Sequence, residues 1–416
     1  MAMSGEPGPA VAAAPAAFLE GSPRYDFDEV IDRRGTNSMK WGYARQLLTP
    51  EQSAADPLPM WVADMDFRAA PPILEALRRQ VEAGVFGYGG MPDSYREAAV
   101  AWQARRFGWQ AKPEWLVQSP GVVTALNTAI QAFSQPGDHV LVQPPVYFHF
   151  LHDVVANGRR LALAPLTLDQ GRYRFDPERF EAAIQPGTRL FILCSPHNPT
   201  GNVWTREELL AMAAICERHG ILILADEVHQ DLVFGEGVRH LPLAMLDDAI
   251  ADNVIVCTAP SKTFNIAGLS CANVFIPNAR HRLQYRRQSE RNGVHLVNVL
   301  GTAACEAAYR EGEPWVEAML EYVRGNQRHF AERIGALGLP VTVTPTDALY
   351  LAWIDFRRLG MAPAALHDFL LRRARLWLDP GSKFGAAGEG FLRINLACPR
   401  RLVDEALDRL TSALPR

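Results

Sequence analysis

The sequence has no apolar run long enough to cross a bilayer, and it carries little net charge. Its 416 residues include 42 basic and 46 acidic side chains, which give a formal net charge of -4. A net charge so close to zero lacks the excess of basic residues that is typical of nucleic-acid-binding proteins. The 48% hydrophobic and 21% charged residues are typical of a globular protein with one large domain or two medium ones. We therefore expect neither a membrane nor a nucleic-acid partner.

Cysteine is scarce and shows no paired spacing. The chain has six cysteines, mostly in apolar surroundings: Cys194, Cys216, Cys257, Cys271, Cys305 and Cys398. Scattered cysteines of this kind favour a cytoplasmic protein with reduced thiols. The first residues are rich in Ala, Pro and Gly, and they lack the basic segment and apolar core of a signal peptide. We expect residues 1–22 to be a disordered tail.

Short apolar runs alternate with helical periods between about residue 110 and about residue 280. The runs predicted as strands are residues 139–142, 161–163, 189–193, 221–224 and 254–256. The predicted helices between them are residues 122–133, 177–184 and 206–219. Strands that are branched and nearly continuous in hydrophobicity are typical of a sheet buried on both faces. The pattern predicts an α/β fold with a mostly parallel sheet flanked by helices.

The pattern changes after about residue 280, where long helical stretches lead into a few short strands and a final helix. This indicates a second, smaller α+β domain, and no internal repeat is present. We expect a large domain at residues 60–295 and a small domain built from residues 23–59 and 296–416.

Polar residues follow three of the predicted strands. Asn198 lies just after residues 189–193, Asp226 follows residues 221–224, and Lys262 follows residues 254–256. In open α/β sheets, ligands bind outside the carboxyl ends of the strands. The three side chains should therefore meet at one edge of the sheet.

Two further features point to the same edge. Gly121 opens the helix at residues 122–133, and a helix start offers free N–H groups and a positive dipole end to a phosphate. Tyr147 adds an aromatic ring after the strand at residues 139–142. A phosphate cradle, a carboxylate, an amide, an aromatic ring and a lysine together indicate a pyridoxal phosphate site. That cofactor needs a lysine for its aldehyde and a carboxylate for its ring nitrogen.

Six segments, taken in order, carry a family resemblance. They are FDEVIDRRGTNS at 27–38, WVADMDF at 61–67, SPHNPTG at 195–201, DEVH at 226–229, SKTFN at 261–265 and RINLACP at 393–399. With them the chain resembles the class I/II aminotransferase superfamily of fold-type-I pyridoxal phosphate enzymes. It is most similar to the bacterial cystathionine β-lyase (C–S lyase) subfamily, which includes the maltose-regulon modulator type. The first two segments favour this subfamily over ordinary aminotransferases.

The resemblance implies the cofactor, pyridoxal 5′-phosphate, and a set of residues that hold it. Lys262 would form the Schiff base and then move the proton at Cα, while Asp226 pairs with the pyridine nitrogen. Asn198 would donate to the phenolic oxygen. The remaining implied cofactor contacts are the stacking ring of Tyr147, the backbone of Gly121, Val122 and Val123 at the phosphate, and the side chains of His229 and Ser261.

The resemblance also implies substrate contacts and an assembly, and it implies no metal. Arg393 would bind the substrate carboxylate as a bidentate fork, a task that suits guanidinium geometry. The backbone of Ala63 would contact the same carboxylate. Tyr88 would reach across the interface of a homodimer to the neighbour's cofactor.

Three positions depart from the usual aminotransferase pattern. Ser270 stands where a phosphate-binding arginine is usual, Ala259 stands in place of a serine, and His229 stands in place of a tyrosine. The first two remove phosphate contacts, which Ser261 and Tyr88 could replace. All three departures are compatible with the lyase subfamily.

The implied reaction is β-elimination of cystathionine and cysteine-type amino acids to pyruvate, ammonia and a thiol. Two alternatives stay open: an aminotransferase that uses the same residues, and a regulatory protein that binds a transcription factor. Each site residue also has a simpler interpretation: Asp226 as a helix cap, Asn198 and Tyr88 as turn residues, Tyr147 as core, His229 as structural, and Arg393 as half of an ion pair.

Overall fold

A seven-stranded mixed sheet forms the centre of this computed structural model, which describes residues 25–414. The predicted tail at residues 1–22 lies outside the described residues. In spatial order the strands are Leu116–Ser119, Ala272–Phe275, Val254–Thr258, Leu222–Asp226, Thr188–Cys194, His139–Val142 and Arg160–Leu163. The last five run parallel to one another, and they are the five strands predicted from the sequence. The predicted α/β fold is confirmed.

Two strands at one edge of the sheet were not predicted. Ala272–Phe275 runs antiparallel to both of its neighbours, Leu116–Ser119 and Val254–Thr258. Gln118 and Asn273 lie inside these strands and pair with each other in register. Each polar residue interrupts the apolar run by which a buried strand is identified in a sequence.

Successive residues of a strand point to opposite faces of the sheet, and the strands here carry apolar residues on both faces, so both faces are covered by helices. Leu190 and Ile192 enter one apolar core, whereas Phe191 and Leu193 enter another. The first core is covered by helices Val122–Phe133, Phe148–Ala156 and Ala279–Arg291. The second core is covered by helices Pro71–Ala83, Asp93–Phe107, Pro177–Ala182, Arg206–Arg218, Asp248–Asp252, Val299–Glu311 and Glu313–Ala336.

The helix Arg206–Arg218 shows how the local sequence sets an element. Thr205 accepts the backbone N–H of Glu208, and the Glu208 carboxylate accepts the N–H of Thr205 in return. This capping box satisfies two N–H groups that the first turn leaves without partners. Leu209 and Met212 then recur at helical spacing and bury the helix against the sheet.

A second sheet has its own apolar core. Its antiparallel strands are, in order, Thr342–Val343, Leu351–Asp355, Phe391–Asn395 and Asp379–Pro380. Helices Pro363–Phe369 and Arg400–Ala413 and the end of Glu313–Ala336 pack on it. Leu58–Pro59 pairs with Leu376–Trp377 beside this core. The boundary at residue 295 stays a prediction, and helix Val299–Glu311 packs on Pro71–Ala83 and Asp93–Phe107 of the first unit.

The remaining elements are short. Helical turns occur at Met39–Gly42, Ala44–Leu47, Pro50–Ala54, Pro113–Trp115, Leu243–Met245, Pro260–Thr263, Ala267–Leu269, Arg357–Leu359, Leu370–Ala374, Gly381–Phe384 and Ala386–Gly388, and a hairpin joins Thr167–Asp169 to Arg172–Arg174. No helix within residues 25–414 is both long and apolar enough to span a membrane. All six cysteines are buried free thiols, as predicted.

Residues 61–67 are anchored by a buried ion cluster. Lys40 is 1% exposed, and its Nζ lies 2.6 Å from Asp66 Oδ2. Arg33 donates to Asp66 at 3.0 Å and to Asp64 at 2.7 Å, and Trp41 donates its indole N–H to Asp66 at 2.8 Å. The segment before the first strand is thereby attached to residues 61–67 by charged hydrogen bonds, which are stronger than neutral ones.

Substitution Lys40→Met tests this anchor. It should lower the free energy of unfolding by about 3 kcal/mol, because a buried Asp66 carboxylate loses its closest cation. Urea denaturation followed by circular dichroism measures the effect. Arg79→Ala is the control, since the Arg79–Glu75 pair is exposed and contributes less than about 1 kcal/mol. Equal stability of the two variants would contradict the role given to Lys40.

Candidate active site

One cavity of about 390 Å³ lies at the carboxyl ends of the parallel strands, between the two sheets. Its walls bring together all but one of the site residues predicted from the sequence. They are Ala63, Gly121, Val122, Val123, Tyr147, Asn198, Asp226, His229, Ser261, Lys262 and Arg393. The exception is Tyr88.

Lys262 lies in the helical turn Pro260–Thr263, directly after the strand Val254–Thr258. Its Nζ donates to the backbone carbonyl of Ala63 at 2.8 Å. Burial, reinforced by the nearby positive charge of Arg393, lowers the pKa of Lys262 to about 8. An amine with this pKa is partly neutral at physiological pH and can act as a nucleophile or a base.

Asp226 ends the strand Leu222–Asp226 and borders the same cavity. Its carboxylate accepts the backbone N–H of Val228 at 3.1 Å and is otherwise turned toward the cavity. Burial raises the pKa of Asp226 to about 7. A carboxylate in this position suits a ligand that brings a positively charged N–H group.

A helix N-terminus lines another wall. The helix Val122–Phe133 begins after Gly121, and no side chain caps its first N–H groups within the described residues. These N–H groups and the helix dipole suit a phosphate. Ser261 and Ser270 also line this cavity. Ser270 stands at the position where aminotransferases usually have a phosphate-binding arginine, so a hydroxyl replaces a guanidinium there.

Arg393 lies on the strand Phe391–Asn395 and is already oriented by three acceptors. Its guanidinium donates to Asn198 Oδ1 at 3.0 Å, to Asp379 Oδ2 at 2.5 Å and to the carbonyl of Trp61 at 3.2 Å. The contact to Asn198 occupies the amide oxygen and leaves the amide NH₂ for the cavity. The Nε of Arg393 has no partner within the described residues, so a donor remains for a further carboxylate.

Tyr147 and His229 are both in the cavity wall. Burial raises the pKa of Tyr147, which keeps its hydroxyl protonated. Burial lowers the pKa of His229 well below its usual range, so the ring is neutral. The Nδ1 of His229 has no hydrogen-bond partner within residues 25–414, and a buried polar atom without a partner calls for a ligand or a water.

Tyr88 is the one predicted site residue that the structure does not bring to the cavity. It is fully exposed, on the loop that follows helix Pro71–Ala83. Val85 and Phe86 beside it are exposed as well. Within a single chain Tyr88 therefore contacts nothing at the site.

Sequence reasoning missed Asp379 and Trp61 in the cavity wall and Tyr350 next to it. Asp379 is a buried partner of Arg393, and the two face each other in register across neighbouring strands. Tyr350 donates its hydroxyl to the Ala63 carbonyl at 2.9 Å. Trp61 is the first residue of the WVADMDF segment, but no role was predicted for it. Its only signal was its place in that segment. The role of Asp379 depends on its pairing with Arg393 in the second sheet, and that of Tyr350 on the fold that brings it to Ala63.

The reactivity of Lys262 in the cofactor-free protein should follow its lowered pKa. Because the neutral amine is the reactive form, reductive methylation of Lys262 should accelerate as the pH rises and reach half its maximal rate near pH 8. Asp226→Asn removes a negative charge that stabilises the ammonium, so the midpoint should move to lower pH. Peptide mass spectrometry measures the rate, with the exposed Lys112 as an internal control. A midpoint that Asp226→Asn leaves unchanged would contradict the coupling.

Comparison with known proteins agrees with this geometry. Residues 61–410 match the family described as aminotransferase class I and II. The chain is 42% identical to the cystathionine beta-lyase PatB of Bacillus subtilis over 94% of this chain and 100% of PatB. Cystalysin from Treponema denticola, whose crystal structure contains pyridoxal 5′-phosphate, aligns with a TM-score of 0.89 at 32% identity, covering 94% of this chain and 98% of cystalysin. The pyridoxal-phosphate-bound C–S lyase from Staphylococcus hominis aligns with a TM-score of 0.86 at 30% identity, covering 95% and 99% of the two chains. The chain therefore belongs to the aminotransferase class I and II family.

Proposed function

We propose that this protein is a pyridoxal-phosphate-dependent carbon–sulfur β-lyase. It cleaves cystathionine and related cysteine-type amino acids to pyruvate, ammonia and a thiol. The observation that carries the proposal is the placement of Lys262, Asp226 and Arg393 around one buried cavity. The names of two relatives, a cystathionine beta-lyase and a C–S lyase, support the same reaction.

The cavity fits pyridoxal phosphate on its own chemistry. The Asp226 carboxylate would pair with the ring nitrogen, and the uncapped helix start at Gly121 would hold the phosphate. The amide NH₂ of Asn198 and the Nδ1 of His229 would be the hydrogen-bonding groups for the phenolic oxygen, and the Tyr147 ring would stack on the cofactor. When bound, pyridoxal phosphate supplies an aldehyde that links to amines and a cationic ring that takes up the electron pair left at Cα.

The residues of the chain then have separate tasks in β-elimination. The Arg393 guanidinium would bind the substrate carboxylate, because Asp379 and Asn198 already hold it in one orientation. The Lys262 amine would take the proton from the substrate Cα, from a position beside the Ala63 carbonyl. The thiolate then leaves Cβ, and hydrolysis of the remaining fragment gives pyruvate and ammonia.

An assay without any keto acid tests the proposed reaction against the aminotransferase alternative. Purified holoenzyme given cystathionine alone should release pyruvate and free thiol over many turnovers, since elimination needs no acceptor. Lactate dehydrogenase coupling and a thiol reagent measure the two products. Turnover that appears only after a keto acid is added would contradict the lyase proposal and favour transamination.

The lysine variant is the matched control in the same assay. Lys262→Ala should lose the visible absorbance of the bound cofactor and at least about a hundredfold of the pyruvate release, because it removes both the covalent link and the base. Lys112→Ala, at an exposed position, should retain both. Retention of the absorbance band by Lys262→Ala would contradict the role given to Lys262.

We also propose a homodimer, with the loop at residues 84–90 at the interface. Its exposed apolar residues, Val85 and Phe86, form with Tyr88 a patch of the kind that a partner subunit covers. The buried free thiols support a cytoplasmic protein, where cysteines stay reduced. A small amino-acid substrate is the partner that the cavity fits.

Sedimentation velocity tests the dimer. The wild-type protein should sediment as a dimer, and Phe86→Glu should shift it toward the monomer, since a charge would be buried at the interface. Val155→Glu is a matched control, because Val155 on helix Phe148–Ala156 is as exposed as Phe86, at 59% against 58%. A wild-type protein that is strictly monomeric and fully active would contradict the proposal.

A further inference from the structure

Three potential metal ligands converge on the helix Phe148–Ala156, and one of them, His149, lines the cavity. The Nδ1 atoms of His149 and His152 lie 3.1 Å and 2.9 Å from Asp153 Oδ1, and the three ligand atoms all lie within 4.8 Å of one another. Ligand atoms that each bind one zinc ion at about 2.0–2.2 Å have such separations. We propose that His149, His152 and Asp153 bind a divalent transition-metal ion such as Zn²⁺, and we call these three residues the zinc cluster.

The carboxylate of the zinc cluster is held in place from behind. The Asp153 side chain is 9% exposed, and Asn127 donates to its Oδ2 at 2.7 Å. Asn127 is in turn oriented by Asn157, whose Nδ2 donates to the Asn127 amide oxygen at 2.6 Å. Metal ligands are typically fixed by such outer hydrogen bonds. The support leaves Oδ1 directed at both imidazoles.

The ligand types select the class of ion. Two imidazoles and one carboxylate suit Zn²⁺, Co²⁺, Ni²⁺ or Cu²⁺, whereas Mg²⁺ and Ca²⁺ prefer oxygen ligands. The His152 side chain is 72% exposed, so an ion can enter from solvent. Three protein ligands also leave a coordination position for water or a thiolate. The six cysteines are buried and do not compete for the ion.

A simpler interpretation is a pair of ordinary histidine–aspartate hydrogen bonds on a helix surface. Both imidazoles nevertheless direct the same ring atom, Nδ1, at Asp153 Oδ1, while Oδ2 accepts from Asn127 and lies 3.3 Å from His149 Nδ1. Within the described residues this is the one place where three such side chains meet at metal-ligand spacing. That convergence favours a metal ion.

The zinc cluster is connected to the active site through His149. This residue lines the cavity, and its ring centroid lies 5.2 Å from that of Tyr147. An ion at Nδ1 would fix the His149 ring in the cavity wall, beside the ring proposed to stack on the cofactor. Metal binding should therefore hinder substrate entry. This regulatory step rests on the proposed function, whereas metal binding itself does not.

Calorimetric titration of the holoenzyme with Zn²⁺ tests the site directly. We expect one ion per chain in the wild type and at least tenfold weaker binding in His152→Gln, which removes a ligand outside the cavity wall. His219→Gln is the control, because His219 pairs with Glu181 in a similar hydrogen bond without a third ligand. Equal zinc affinity in wild type and His152→Gln, or no binding by the wild type, would overturn the proposal.

Thermal unfolding separates metal binding from a structural role of His152. Without zinc, wild type and His152→Gln should unfold at the same temperature. Zinc should raise the transition temperature of the wild type and leave that of the variant unchanged, because only bound ligand stabilises the native state. A variant that unfolds earlier without metal and responds to zinc like the wild type would show a structural role and overturn the site.

The activity assay tests the connection to the active site. Zinc should raise the KM for cystathionine in the wild type and leave the KM of His152→Gln unchanged. Zinc that binds in calorimetry without altering the wild-type KM would overturn the regulatory step. A protein that binds zinc as expected and has no lyase activity would overturn the proposed function and support the metal site.

Discussion

The short segment at residues 61–67 is the constraint on which the rest of the structure depends. Its carbonyl groups accept hydrogen bonds from side chains that come from distant parts of the chain. The donors are Arg393 to Trp61, Asn395 to Val62 and Asp64, Lys262 and Tyr350 to Ala63, and Asn265 to Met65 and Phe67. Buried carbonyl groups must find such partners. The segment thus joins the lysine turn of the large sheet to the strand of the second sheet that carries Arg393.

The sequence predicted the parallel strands because their apolar runs are continuous, and it predicted most of the site because strand ends in such sheets meet at one edge. It could not reveal Asp379, whose role depends on pairing in register with Arg393 in an antiparallel sheet. Two strands at one side of the sheet were not predicted, because Gln118 and Asn273 interrupt their apolar runs. Tyr88 was assigned to the site by resemblance alone, and within one chain it is exposed and does not line the cavity.

The cavity wall holds two groups, Lys262 and Asp226, whose pKa values are strongly shifted by burial. Arg393 and Lys383 both pair with Asp379, at 2.5 Å and 2.8 Å, whereas Lys262 and Asp226 have no such ion pair within the described residues. Burial moves the two pKa values toward each other, to about 8 and about 7. Both groups can therefore change protonation state near physiological pH at small energetic cost, since one pKa unit corresponds to about 1.4 kcal/mol.

The carbonyl of Ala63 is shared by two donors, the Lys262 amine at 2.8 Å and the Tyr350 hydroxyl at 2.9 Å. In the proposed reaction Lys262 would have to leave this carbonyl in order to bind the cofactor and to take a proton. If Lys262 were the sole donor to the Ala63 carbonyl, each movement of the lysine would leave a buried acceptor without a hydrogen bond, at a cost of about 1–3 kcal/mol. Because the Tyr350 hydroxyl also donates to the Ala63 carbonyl, that carbonyl would keep a hydrogen bond when Lys262 moves, and the backbone at Ala63 would not need to rearrange.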